Sequence, residues 1–171
     1  MTKLNTTRSK NIVKEFLARD THCKRKVQVF EKELNAPPGE VFKQLCPSRE
    51  ADWINGWTVD LLYTTTGYAE PLCVFRTPES NIFGPGLWVL TRFEPDSVLE
   101  LVVFHEAIDI IEYTKIHLFD YGNETCKVVF EITLTAINEK GSMVIESFPD
   151  EEPPFLDELE HFLAHSSLKE T

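Results

Sequence analysis

The chain has 171 residues, of which 42% are hydrophobic and 26% are charged. These values are ordinary for a globular protein and exclude wholesale disorder, and the length fits one domain. Seventeen basic residues against 28 acidic ones give a formal net charge of -11, which disfavours binding to the phosphate backbone of nucleic acids. The longest apolar runs, such as Leu101–Phe104, are far shorter than the roughly 20 residues that a membrane-spanning helix needs.

The first 24 residues are predicted to form an appendage, with a short helix at 11–18, in front of a single domain at 25–171. They contain no apolar stretch typical of a signal peptide, so the expected location is the cytoplasm. The four cysteines are widely spaced and form no CxxC pair, which favours reduced thiols. Neither a metal ion nor a cofactor is expected, because no cluster of suitable ligands is present.

The domain is predicted to begin with a strand and two short helices. From Lys26 onward, Val27 and Val29 alternate with Gln28 and Phe30, which is typical of a strand. Pro37–Glu40 favours a helix start, because proline suits the first turn and Glu40 complements the helix dipole. Pro47 ends this helix, Ser48 can cap a second one, and Gly56 is placed to terminate it.

After Gly56 the pattern predicts six more strands separated by turns. The strand at 125–137 alternates most regularly, and one covered face with one wet face indicates an antiparallel sheet. The predicted strands are 57–66, 72–77, 87–93, 98–107, 109–119 and 125–137.

The last segment is predicted to be an amphipathic helix. An apolar stripe at helical spacing is formed by Phe155, Leu156, Leu159, Phe162 and Leu163. Residues 143–148 can form a preceding helical piece that is broken at Pro149. This terminal helix is the only long element available to cover the sheet.

This order of elements resembles the helix-grip fold of the SRPBCC superfamily, which includes START domains, birch-pollen-allergen-like proteins and polyketide cyclase-like proteins. The chain looks like a member of a mostly uncharacterised bacterial subgroup, over about residues 25–168. The residues that carry the resemblance are Leu45–Glu50, Asp52–Trp57, Gly67–Glu70, Cys73–Thr77, and Trp88 ahead of Glu94 and Pro95.

The resemblance implies an α+β fold in which a curved seven-stranded antiparallel sheet wraps around a long C-terminal helix. Between the sheet and the helix, such proteins hold a cavity for an apolar or amphipathic small molecule. The expected function is therefore ligand binding, including lipid binding, as a carrier or sensor. Pro149, Pro153 and Pro154 depart from the pattern, because relatives usually have a continuous helix there.

The candidate ligand-binding residues are the aromatic, apolar and polar positions expected to face this cavity. Trp53 and Trp57 bracket Gly56, and they either plug the end of the core or form walls that stack on a flat ligand. The full predicted set comprises Trp53, Trp57, Val59, Leu61, Tyr63, Phe75, Trp88, Glu112, Tyr113, His117, Val128, Phe130, Ile132, Leu159 and Phe162.

The strand at 109–119 has polar residues on both faces, and the sequence leaves open which face is inward. Buried polar groups need partners, so they would be paired or would face a ligand, unless bulges place them all outside. If the protein is instead a cyclase, dehydratase or hydrolase, the acid or base would be Glu112, Tyr113 or His117. No catalytic sequence motif is present, so an enzyme is the less favoured hypothesis.

Three further features have simpler explanations. Arg49, Glu50 and Asp52 form a charged cluster that favours helix capping over catalysis. His161 and His165, four residues apart, are more typical of an exposed helix end than of a metal site. The acidic surface also suits a basic protein partner, which keeps a protein-interaction module as an alternative.

Overall fold

The computed structural model describes residues 23–78, 85–151 and 153–166. The helix predicted at 11–18 lies outside the described residues. Four α-helices and seven strands follow one another in the order β1, α1, α2, β2–β7, α3, α4. The bounds are β1 Arg25–Leu34, α1 Pro38–Gln44, α2 Pro47–Glu50, β2 Asp60–Tyr63, β3 Val74–Thr77, β4 Gly86–Glu94, β5 Val98–His105, β6 Ile110–Gly122, β7 Thr125–Ala136, α3 Glu139–Ser147 and α4 Phe155–Ser166.

The seven strands form one curved antiparallel sheet in the order β1-β7-β6-β5-β4-β3-β2. Strands β2 to β7 pair in the order of the sequence. Strand β1 lies at the opposite edge from β2 and pairs with β7 along its whole length, from Arg25 opposite Thr135 to Leu34 opposite Cys126. Short connections between β4 and β5, β5 and β6, and β6 and β7 favour this antiparallel arrangement. The predicted fold class, with two short helices between the first and second strands, is confirmed.

The inner face of the sheet is set by strict alternation along β6 and β7. On β7 the buried positions are Cys126, Val128, Phe130, Leu134 and Ala136, in line with the predicted alternation. On β6 the buried set comprises Ile110, Glu112, Thr114, Ile116 and Leu118. The structure thus shows which face of β6 is inward, and it places the polar side chains of Glu112 and Thr114 in the interior.

The strand predicted at 57–66 is much shorter than expected. Only Asp60–Tyr63 pair with β3, and all four residues are exposed. This strand is the last in the sheet, so it has a neighbour on one side only, and its register shifts between Leu61 and Tyr63. The inward orientation expected for Leu61 and Tyr63 is therefore wrong, and their exposed fractions are 40% and 61%.

Two helices, rather than one long one, cover the sheet. Helix α3 ends at Ser147 and α4 begins at Phe155, and the prolines between them cannot continue a helix. Leu156, Leu159 and Leu163 of α4 are buried against the sheet, as the apolar stripe predicts. Helix α4 is fixed to β1 because Lys32 forms ion pairs with Asp157 and, at 2.8 Å, with Glu160.

The cysteines are all free thiols in the described part of the chain. Cys46, Cys73 and Cys126 are buried, and burial raises the pKa of Cys126 to about 11. Cys73 and Cys126 pack in the hydrophobic core, where a thiol behaves as a small apolar group, and Cys46 Sγ accepts a hydrogen bond from the N–H of Ala69 at 3.2 Å. Among the described helices, none has the length and apolar character required to cross a membrane.

Candidate functional site: an internal cavity with a carboxyl-rich lining

A cavity of about 880 Å³ lies between the inner face of the sheet, helix α2 with the turn that follows it, and the segment joining α3 to α4. This volume lies within the range of pockets that hold drug-sized molecules. Its apolar lining includes Phe30, Leu45, Trp53, Ile54, Trp57, Phe75, Trp88, Leu90, Leu99, Leu101, Ile108, Ile116, Phe130, Ile132, Val144, Phe148 and Phe155.

Three tryptophans line the cavity, and each has its indole N–H satisfied by the protein. Trp53 donates to the main-chain oxygen of Gln44 at 3.0 Å, and Trp57 donates to that of Pro47 at 2.9 Å. Trp88 donates to Thr77 Oγ1 at 2.8 Å. With their polar edges fixed, the rings present apolar surface to the interior. Trp53 and Trp57 thus both pack against the core and line the cavity.

The aromatic residues also pack on one another. Trp88 stacks on Phe75, with ring centroids 5.4 Å apart and planes at 14°. Trp57 meets Trp88 edge to face at 6.0 Å. Such pairs each contribute about 1 kcal/mol beyond burial, so this wall of the cavity is rigid.

A hydrogen-bonded polar cluster lies on the sheet side of the cavity. Glu112 Oε2 is 2.9 Å from His105 Nε2, and Glu112 Oε1 accepts a hydrogen bond from Thr114 Oγ1 at 2.5 Å. All three side chains are buried and line the cavity. The ring of Trp88 stands edge-on to His105 at 6.2 Å. His105 on the neighbouring strand β5 and Thr114 on β6 itself therefore orient the Glu112 side chain.

Glu50 brings a second carboxyl group into the cavity, from the last residue of α2. Among the described residues, no side chain hydrogen-bonds or forms an ion pair with it. The surrounding protein desolvates the group, which raises the pKa of Glu50 to about 8. The carboxyl is therefore mostly protonated near neutral pH.

The mouth of the cavity is bordered by the segment between α3 and α4, and β1 holds that segment in place. Gln28 donates from Nε2 to the main-chain oxygen of Pro149 at 2.7 Å. Lys26 donates from Nζ to the main-chain oxygen of Phe148 at 2.5 Å, and it pairs with Asp150 at 2.6 Å. These contacts tie the segment to the first strand of the sheet.

The sequence-predicted site residues fall into three groups. Seven of them line the cavity: Trp53, Trp57, Phe75, Trp88, Glu112, Phe130 and Ile132. Val59, Val128, Leu159 and Phe162 belong to the hydrophobic core without lining the cavity. Leu61 and Tyr63 are exposed on the edge strand, and Tyr113 and His117 lie on the outer face of the sheet.

Tyr113 and His117 need an explicit correction, because they were candidates for acid–base chemistry. They share the parity opposite to Glu112, so their side chains cannot reach the cavity. Tyr113 instead donates to Glu100 Oε2 at 2.7 Å, and His117 stacks on Phe119 at 6.0 Å. Both interactions lie outside the covered face.

Seven polar lining residues were not predicted: Gln28, Glu50, His105, Thr114, Ser147, Glu151 and Glu158. Thr114 lies on the same face of β6 as Glu112, and His105 lies on the same face of β5 as Leu101 and Val103. The alternation of each strand could therefore have predicted that both residues face inward. Glu50 carried no such signal, because the last residue of a short helix is most simply a solvated one. Among the described residues, no group of three or more His, Cys, Asp and Glu side chains is arranged to hold a metal ion.

No family model and no curated protein matches the sequence. A norcoclaurine synthase from Thalictrum flavum is similar in structure, with a TM-score of 0.66 at 9% identity, covering 86% of this chain and 99% of that one. Protein MLL2253 from Mesorhizobium loti gives 0.59 at 16% identity, covering 82% and 98%. CalU16 from Micromonospora echinospora gives 0.52 at 14%, covering 87% and 90%. These likenesses, together with the sheet and its covering helix, show that the chain has an SRPBCC-type helix-grip fold.

Proposed function

We propose that the protein binds an apolar or amphipathic small molecule in the cavity, as a carrier or sensor. The observation that carries the proposal is the cavity itself, at about 880 Å³ and with mostly apolar and aromatic walls. An apolar space of this size offers a ligand extensive packing contacts with the surrounding side chains. Norcoclaurine synthase, which is similar in fold, forms a complex with dopamine and hydroxybenzaldehyde.

The test is saturable binding of an uncharged fluorophore, N-phenylnaphthylamine, followed by its emission and by quenching of the cavity tryptophans. Ile132→Trp adds a large ring to the inner face of β7 and is expected to weaken probe binding at least about tenfold. Thr133→Trp is the matched control, since it adds the same ring at the next position on the opposite face.

The proposal fails if the wild-type protein gives no saturable signal. It fails equally if Ile132→Trp, shown to be folded by circular dichroism, binds the probe as tightly as Thr133→Trp does. Loss of binding in Ile132→Trp alone supports the cavity as the binding site.

A second candidate function is proton-transfer catalysis, and the polar cluster on β5 and β6 favours it. A carboxylate that two fixed partners orient towards an apolar space can act as a general base. In this role Glu112 would be the catalytic residue, and His105 would be a positioning residue. This role requires only that a ligand in the cavity contact the Glu112 carboxylate.

Nitrobenzisoxazole tests this candidate without knowledge of the natural substrate. A base removes its carbon-bound proton, the electron pair forms the nitrile as the N–O bond breaks, and a coloured phenolate is released. We expect saturable turnover, a loss of kcat of about 10²-fold or more in Glu112→Gln, and little change in Glu33→Gln on the outer face of β1. Equal rates in the two variants would exclude Glu112 as a base.

A further inference from the structure

We propose that the ligand of the cavity carries a positively charged group, such as an amine, on an apolar body, and that Glu50 is its anchor. This inference rests on the proposed binding function and specifies the chemistry of the ligand. It is drawn from the signs of the charges that line the cavity, from an unsatisfied carboxyl group and from the aromatic walls.

The charged groups that line the cavity are acidic. Among the described lining residues, Glu50, Glu112, Glu151 and Glu158 carry carboxyl groups, and none is a lysine or arginine. His105 is the only described lining residue that can become cationic, and its Nε2 is already engaged with Glu112. Even with a protonated imidazole, carboxyl groups outnumber cations four to one. A carboxylate or phosphate ligand would find no lysine or arginine among the described lining residues to compensate its charge.

Two lysines of β1, which contact the segment between α3 and α4 and helix α4 itself, are committed to other partners. Lys26 binds the main-chain oxygen of Phe148 and the carboxylate of Asp150. Lys32 pairs with Asp157 and Glu160 on α4, and these two hydrogen bonds raise the pKa of Lys32 above its usual range. Neither side chain lines the cavity, so neither neutralises its carboxyl groups.

Glu50 is the lining group that a bound cation would stabilise most in its charged form. Its carboxyl lies in the cavity wall, and no described side chain donates to it or pairs with it. The side chain is partly buried, and the surrounding protein desolvates it, so its charged form is disfavoured unless a partner is supplied. A bound ammonium would supply the missing partner, and Glu50 would give up its proton to solvent as the ion pair forms.

The walls suit the rest of such a ligand. Trp57 and Trp88 meet edge to face, and Trp53 packs beside them, so the cavity offers flat apolar surface close to the carboxyl groups. Indole faces also attract cations when the site is desolvated. An aromatic or aliphatic amine therefore matches both the apolar lining and the acidic groups.

Three probes that share a naphthalene ring and differ in their terminal group test the charge preference directly: naphthylethylamine, naphthylethanol and naphthylacetic acid. Calorimetry at neutral pH is expected to give an affinity for the amine about tenfold or more above that for the alcohol. The acid is expected to bind more weakly than the alcohol. Glu50→Gln should reduce the ratio of amine to alcohol affinity to near one without loss of alcohol binding, whereas Glu33→Gln should leave all three affinities unchanged.

A second readout uses the proton that Glu50 releases. Titrations in two buffers of different ionisation enthalpy should show proton release on amine binding to the wild-type protein, less in Glu50→Gln, and none on alcohol binding. If the alcohol or the acid binds as tightly as the amine, or if Glu50→Gln keeps the preference for the amine, the inference is overturned. If none of the three probes binds, the proposed binding function itself fails.

Discussion

Replacing Gly141 with alanine is expected to lower the free energy of unfolding by about 3 kcal/mol. Gly141 lies in the first turn of α3, where its backbone rests against the sheet. A Cβ atom there would lie 2.3 Å from the main-chain oxygen of Asp109 and 3.3 Å from Cβ of Ala136. The Asp109 oxygen cannot easily move, because it accepts a hydrogen bond from the N–H of Ile137 at 3.0 Å. The helix must therefore shift away from the sheet.

That shift would disturb both the group of buried residues around Ile145 and the cavity. Ile145 of α3 packs with Ile110, Leu134 and Ala136, and Val144 and Ser147 of the same helix line the cavity. Urea denaturation measures the loss of stability, and titration with the uncharged fluorophore measures the change at the cavity. Met143→Ala, on the exposed side of α3, is the control and should change the free energy of unfolding by about 0.5 kcal/mol or less. A Gly141→Ala protein as stable as this control would contradict the close approach of α3 to the sheet.

Glu50→Gln is expected to make the protein more stable than the wild type at pH 8, by up to about 4 kcal/mol. In the native protein, desolvation raises the pKa of Glu50 to about 8 from its usual value of 4.5. Below about pH 4.5 both the native and the unfolded chain hold this proton. Between the two pKa values the unfolded chain releases it first, so the unfolded state is favoured progressively as pH rises. Above about pH 8 the native chain releases it too, and the destabilisation stops growing.

The measurement is the difference in free energy of unfolding between the two proteins at several pH values from 5 to 9. Other groups with shifted pKa values, such as His117, are present in both proteins and cancel in the difference. We expect the difference to be small near pH 5 and to rise with pH until about pH 8. Parallel profiles would mean that water solvates the carboxyl fully, and the argument from desolvation would then be wrong.

The sequence alone was enough to predict the fold of this protein. The alternation along 125–137 and the apolar stripe from Phe155 to Leu163 follow the periods of a strand and a helix. These periods are set by local backbone geometry, so they can be recognised without knowledge of the tertiary structure. The prolines between 149 and 154 likewise predicted a break, because proline lacks the N–H that a helix interior requires. Seven of the fifteen candidate residues line the cavity, and most of these are large aromatic or aliphatic residues on strongly patterned strands.

Tertiary structure decided which carboxyl groups face the cavity. Polar residues occupy both faces of β6, so only its pairing with β5 and β7 places Glu112 beside His105 and sends Tyr113 and His117 outward. Edge position, which no local pattern encodes, left Leu61 and Tyr63 in solvent. Glu50 gains its unusual environment because the end of α2 lines the cavity together with residues distant in sequence, and desolvation depends on all of these surroundings. Periodicity thus determined the framework, whereas the charge of the cavity arose from contacts between distant parts of the chain.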